Sequence, residues 1–428
     1  MNEITRRRFI TNAAKSYLGV TVLPMLGSTI ASPAFAKSTA NGAGKADHVI
    51  FLNMAGGMSH IDTFDPKPNK KEIQGPVESI ATAADGIQIT QYLPETAKVM
   101  NHACVINSMT SKQGAHEQGQ YMLHRSYAMR GTISHPSLGA WVNKLKGRKN
   151  PDIPGFVSIG GSPDQASGGF FGARYSGVPL GRPDQGLKNS TRAHTCSEDD
   201  FNRRLALADT LNKNFHDQFS HPTIKEYDNL YEEAIRLMQS KDLKAFDINK
   251  EPETLKNDYG KNHFGQGCLL ARRLVEHGVR FVEVTLGGWD THYDNFTSVE
   301  ARCQILDIAY ATLIKDLHSR GLLQNTLVVL ATEFGRSPEI VAEHQNGRDH
   351  YPAAYSCVLA GGGIKGGTSY GRTDSKGLRV KDKPVEPKQL NATIAHALGI
   401  PTNEKIHSPS GRPFTIGNNS SPVVEIFA

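Results

Sequence analysis

The sequence has no CxxC pair, and its five cysteines (Cys104, Cys196, Cys268, Cys303 and Cys357) are scattered and odd in number. That argues against a thiolate zinc site and supplies no disulfide framework. Cys104 and Cys357 lie inside apolar runs, where a thiol serves as a small core residue. Aromatic residues make up only 7% of the chain, and no block of like charge occurs. A nucleic-acid partner is therefore not expected. P-loop, GxSxG and HExxH patterns are all absent, so the usual signatures of nucleotide, serine-esterase and zinc-protease chemistry are missing. "GGGIKGG" is glycine-rich but lacks the GK[ST] ending, and it reads as a loop.

What is present is a globular composition, 428 residues of which 38% are hydrophobic and 21% charged. The chain opens with "TRRRFITNAAKSYLGVTVLPMLGSTIASPAFA", a twin-arginine pair before an interrupted apolar stretch and a small-x-small cleavage site at Ala34-Phe35-Ala36. Residues 1–36 read as a Tat export signal, which makes the Tat translocase a partner and the periplasm, or another exported location, the destination. Gly, Ser, Thr and Pro break the apolar stretch, so no stable membrane span is expected after cleavage. The signal carries Arg6, Arg7, Arg8, Lys15 and Glu3; without it, the formal charge falls from +6 to +3.

Residues 37–45 form a linker, and 46–428 form the folded domain, with a helical and loop-rich insertion around 166–262. "HVIFLNM", "ACVINSM", "GFVSIG", "VRFVEVTL", "NTLVVLA" and "AAYSCVLA" are strand-type runs. Helices are expected from near His116, over Thr223–Gln239, Phe264–His277 and Val299–Arg320, and over Pro387–Leu398. Residues 166–196 read as a long surface excursion. Apolar strands alternating with helices predict an α/β fold, a mainly parallel sheet covered on both faces. In such sheets ligands bind outside the carboxyl ends of the strands, and the polar clusters fall there.

In "EVTLGGWDTH", Asp290 and His292 follow a strand two places apart, so extended backbone points them the same way. Carboxylate plus imidazole suits Zn, Mn or Fe better than Ca; the alternative is an Asx-type turn with an exposed histidine. Glu333 ends "TLVVLA" before Phe334-Gly335-Arg336, placed to ligate, to act as a base or to pair with its arginine. Arg336 has the fork to clamp an oxyanion. His350, in "GRDHYP", is positioned to complete a metal set with Asp290, His292 and Glu333. The first loop adds Asn53, His60, Asp62 and Asp65, of which Asp62 is the stronger candidate. His116 stands at a helix start, where an anion is favoured, as nucleophile or general acid/base.

The pieces "AGGMSHIDTFDPKP", "HPSLGAWV", "GGWDTH", "TEFGRSP", "GRDHYP" and "NATIAHALGI" resemble, in this order, the Tat-exported family catalogued as domain of unknown function 1501. That family is similar to the alkaline phosphatase and sulfatase superfamily. The resemblance implies a three-layer α/β/α sandwich with a divalent metal, Zn, Mn or Ca, at the strand ends. Asp290, His292, Glu333 and His350 resemble its metal ligands, with Asp62 and Asn53 from the first loop and strand. Asn53 stands where that superfamily presents an aspartate, Phe334 where a histidine often follows, and His116 near the usual nucleophile. The implied function is hydrolysis of a phosphate or sulfate ester, with an anionic ester or glycan as partner. The rival is a non-catalytic exported protein of the same fold that binds an anionic glycan or a protein.

Overall fold

The computed structural model describes residues 43–193, 195–218 and 222–428. The expected export signal lies outside them. Eight strands form the central sheet: β1 (His48–Ala55), β2 (Ala103–Met109), β3 (Phe156–Ile159), β4 (Val178–Leu180), β5 (Phe281–Gly287), β6 (Thr326–Ala331), β7 (Tyr355–Ala360) and β8 (Thr368–Tyr370). Their spatial order is β8-β2-β7-β6-β1-β5-β3-β4. β7 is antiparallel to both of its neighbours, β2 and β6, and every other pairing in the sheet is parallel.

The helices that frame the sheet are α1 (His116–Arg125), α2 (Leu138–Lys146), α3 (Glu198–Gln218), α4 (Pro222–Gln239), α5 (His263–Glu276), α6 (Asn295–Ser319) and α7 (Pro387–Ala397). The lack of polar alternation in β1 has a direct cause. Ile50, Leu52 and Met54 enter one core with Cys268, Leu270, Cys303 and Leu306 of α5 and α6. Val49 and Phe51 enter the other, with Trp141, Leu390 and Ile394 of α2 and α7. Both faces are dry, and each large side chain so buried contributes roughly 1.5–3 kcal/mol. The result is the expected α/β/α sandwich.

Two local readings differ from the structure. The excursion after residue 166 carries β4, which pairs with β3 at the sheet edge; its three residues, Val-Pro-Leu, are too few to show periodicity. Helix α3 was not legible, because it packs little: Leu207 and Leu211 remain exposed. All five cysteines are free, and four of them are buried. Among the described residues, no helix is long and apolar enough to cross a membrane.

Candidate functional site

β1, β5 and β6 are adjacent and parallel, so their carboxyl ends open on one edge of the sheet. Three residues past β5 stands Asp290, and two past β6 stands Glu333. A two-stranded hairpin, Gly335–Arg336 against His350–Tyr351, pairs Arg336 with His350 and brings the latter to the same edge. The hairpin is pressed onto the β5 loop: Arg348 N–H donates to Thr291 O at 3.0 Å, and a Cβ on Gly347 would lie 1.6 Å from His292 O. Only glycine fits there. Gly56, leaving β1 at φ +121°, meets the same loop from the other side; its Cβ would sit 2.6 Å from Asp290 N. Helix α1 then delivers His116 at its first position.

These segments gather three imidazoles around one oxygen. Asp290 Oδ1 lies 3.2 Å from His116 Nε2, 3.3 Å from His292 Nε2 and 3.3 Å from His350 Nε2. The ligand atoms of His116, Asp290 and His350 all fall within 4.8 Å of one another. Each Nδ1 is held from behind: His116 by Glu333 Oε1 at 2.7 Å, His292 by Asp349 Oδ1 at 2.9 Å, and His350 by Gly114 O at 2.8 Å. Carbonyl and ionised carboxylate oxygens only accept, so each Nδ1 carries the proton and donates. In the neutral rings the three Nε2 lone pairs therefore face Asp290. Orienting ring N–H bonds of this kind are what metal-bound histidines make.

The electrostatics agree. Lone pairs and a carboxylate crowded on one point repel unless a cation or protons lie between them. His116 Nε2 is buried and makes no hydrogen bond. The His116 pKa is raised, chiefly by the hydrogen bond to Glu333 and against the effect of burial, with Asp290 adding its charge. Burial would raise the Asp290 pKa, but the hydrogen bond and charge of Arg336, with His116, hold it at about 2. Burial, with the Arg336 and His116 charges, lowers the His350 pKa. The donor set, the His116 and His350 imidazoles with the Asp290 carboxylate, and His292 on a further contact of that carboxylate, suits a transition metal or zinc better than calcium.

The sequence candidates divide by position. Asp290, His292 and His350 meet at one point, and His116 joins them. Glu333 stands one layer behind: its buried carboxylate accepts from Gly56 N at 2.9 Å, His116 Nδ1 at 2.7 Å and Gln120 Nε2 at 2.7 Å. Arg336 is fully buried, and its donors go to Asp290 and to the carbonyls of Gly56, Gly57 and Arg348. Asn53 reaches Gln120 Oε1 with its Nδ2 at 3.3 Å, and its Oδ1 is buried without a partner. Asp62 does not join the cluster. Both of its oxygens accept from Arg348, at 2.8 and 3.0 Å, in a fully buried ion pair, and Asn295 donates to Oδ2 at 2.9 Å. His60 is buried against Gly377 O, and Asp65 is tied to Lys67 and Thr373.

Phe334 lies under the cluster, its ring centroid 4.9 Å from His116 and 4.8 Å from His350. It supplies an aromatic floor rather than a ligand. One orienting residue, Gln120, was missed in the sequence, and Asp349, adjacent to His350 in "GRDHYP", was left without a role. Gln120 was findable: it is four residues after His116, on the same face of α1.

Fold and site together define an α/β/α sandwich with a histidine–carboxylate cluster at its strand ends. The chain belongs to the family described as Protein of unknown function (DUF1501), matched over residues 46–427. No curated protein matches it in sequence. Among solved structures it is similar to the lipoteichoic acid synthase LtaP from Listeria monocytogenes, at 10% identity and a TM-score of 0.40, over 86% of this chain and 76% of that one. It is similar to the PsFucS1 sulfatase from Pseudoalteromonas sp. at 12% identity and a TM-score of 0.36, over 89% and 76% of the two chains. The third is the C-terminal periplasmic domain of EcEptC from Escherichia coli, in complex with Zn, at 10% identity and a TM-score of 0.37, over 93% and 99%. Likeness this distant lends the chain no chemistry.

Proposed function

We propose that this protein is a metal-dependent hydrolase of phosphate or sulfate esters, exported by the Tat route, with its metal held by His116, His292, His350 and Asp290. The observation that carries the reading is the convergence of three Nε2 atoms within 3.3 Å of one Asp290 oxygen. A divalent cation bound there would polarise an ester oxygen and acidify a bound water.

The chain's own residues set up that chemistry. Glu333, Asp349 and the Gly114 carbonyl fix the tautomers, so that all three rings offer Nε2. Arg336 keeps Asp290 ionised and aimed inward. It acts through Asp290 as a positioning residue, which replaces the expectation of a direct oxyanion clamp. His116, expected as nucleophile or acid/base, becomes a ligand, and Glu333 becomes its orienting partner. Phe334, fully buried, packs its ring against those of His116 and His350.

The test is metal analysis of the purified full chain alongside turnover of aryl phosphate and aryl sulfate esters, in wild type and His292→Ala. The reading expects bound metal and turnover in wild type, and loss of both in a folded variant. Metal retained by a protein that turns over no ester of either class would favour the non-catalytic binder. Absence of tight metal binding would remove the site assignment itself.

A further inference from the structure

A cleft of about 670 Å³ lies between the loop at Ser111–Gln113, the far end of α1, the start of α7 and the hairpin Ile406–His407/Pro413–Phe414. That is within the range of roughly 300–1,000 Å³ usual for ligand pockets. It is separate from the histidine cluster, yet the two share α1. His116 opens that helix, and Met122 and Ser126, about 9 and 15 Å further along it at ~1.5 Å per residue, line the cleft, as do Ser111–Gln113 just before His116.

The charge on its rim is net positive, with Glu386 the one carboxylate among the lining residues. Lys112, Arg130 and Arg412 line it, all three are exposed, and among the described residues none forms an ion pair. Lys388 is neutralised by Glu386 at 2.6 Å. His135 adds no charge, since burial and the Arg125 and Arg130 charges push its pKa down to about 4. Three positive charges are left without carboxylate partners.

The wall is aromatic and rigid. Tyr127 stacks on His135 with centroids 4.6 Å apart and planes within 3°, and Phe414 meets Tyr127 edge-on at 5.3 Å. The Tyr127 hydroxyl donates to Thr415 O at 2.8 Å and accepts from Thr415 N at 3.0 Å, which fixes the ring. Tyr127 and Phe414 stay partly exposed toward the cleft. An apolar ring surface inside a cationic rim matches a ligand with flat C–H faces and acidic substituents.

We propose that this cleft binds an anionic oligosaccharide, its sugar rings lying on Tyr127 and Phe414 and its sulfate, phosphate or carboxylate groups facing Lys112, Arg130 and Arg412. A nucleic acid fits less well, because it calls for a long basic stripe and the chain without its signal carries a formal charge of only +3. A membrane surface fits less well because Tyr127 and Phe414 are only partly exposed. The proposal rests on the cleft alone and does not require the histidine cluster to hydrolyse anything.

The experiment is titration calorimetry of the full chain with hexasaccharides bearing sulfate, phosphate or uronate groups. Neutral hexasaccharide, a single-stranded oligonucleotide and anionic phosphatidylglycerol vesicles are the comparison arms. At least one acidic hexasaccharide should bind, and its neutral counterpart at least about tenfold more weakly. The Lys112→Ala/Arg130→Ala/Arg412→Ala variant should lose about tenfold or more in affinity, with a shallower salt dependence. Its turnover of small aryl esters should equal wild type, which separates this binding from the chemistry of the cluster. Equal affinity in the triple variant, equal affinity for the neutral sugar, or binding confined to oligonucleotide or vesicles would overturn the proposal. So would failure of every acidic hexasaccharide to bind.

Discussion

Glu333→Gln separates a ligand from an orienting residue. The wild-type carboxylate is buried and accepts from Gly56 N, His116 Nδ1 and Gln120 Nε2. Glutamine keeps the shape but turns one acceptor into an NH2 group. If its oxygen stays on Gly56 and His116, its NH2 confronts the Gln120 amide, donor against donor. Flipping Gln120 only passes the conflict on, because Gln120 Oε1 already accepts from Asn53 and Gln165. Losing a charge-assisted bond in a buried network costs about 1.5–3 kcal/mol, or about 2–4 °C of melting temperature in a chain of this size. Metal affinity should fall about 10–100-fold, the usual effect of removing a partner behind a ligand, with the number of metals bound unchanged. Affinity and stoichiometry come from competition with a chromophoric chelator. Unchanged affinity would refute the orienting role, and complete loss of metal would show Glu333 to be a ligand. The chelated proteins add a pH signature. The raised His116 pKa stabilises the folded state fully below the unfolded histidine value, about 6.5, and that contribution is lost as pH rises through the folded-state pKa. The variant's deficit should therefore be larger near pH 6 than at pH 8.

Asp62→Ala should destabilise the fold by about 3–5 kcal/mol, because it strands buried Arg348, while any variant that folds should keep full metal stoichiometry; calorimetry and metal analysis check the two halves. Gly347→Ala should displace the His292 backbone and weaken metal binding at least tenfold without contributing any ligand itself, with wild-type affinity the refuting result. Acid titration of the chelated protein should show the Asp290 contribution intact above about pH 3.9 and lost as pH falls toward about 2, a loss absent from Asp290→Asn. Replacing Arg6, Arg7 and Arg8 with lysine should hold the precursor in the cytoplasm, and normal periplasmic accumulation would rule out the Tat route.

The sheet was legible because β1, β5 and β6 are buried on both faces, which leaves largely apolar runs in the sequence. The polar interruptions are only His48 and Asn53 in β1, Glu283 and Thr285 in β5, and Thr326 in β6. The strand-end rule then located Asp290, His292 and Glu333, and alternation alone put Asp290 and His292 on one side. Roles were harder to read. Asp62 and Glu333 are both acidic residues near strand ends, yet one is spent on Arg348 and the other on His116, 217 positions away. Spacing fixes the face a side chain takes, not the partner it meets. Arg336 shows the same limit: its fork is filled by backbone carbonyls of loops that only the folded chain brings near. The reversed direction of β7 left no mark, since a strand buried on both faces looks alike in either sense.

The cluster draws on segments far apart in the chain, with Asp290 and His350 separated by 60 residues and Asp290 and His116 by 174. Of the four cluster residues, only Asp290 and His292 are near neighbours in the unfolded chain. An ion bound by all four donors would thus be captured only after the sheet has closed, and would add about 2.7 kcal/mol to stability at a free concentration 100 times its Kd. A chain that crosses the membrane already folded would meet its metal on the side where it folds. The cytoplasmic metal pool, rather than that of its destination, would then decide which ion it carries.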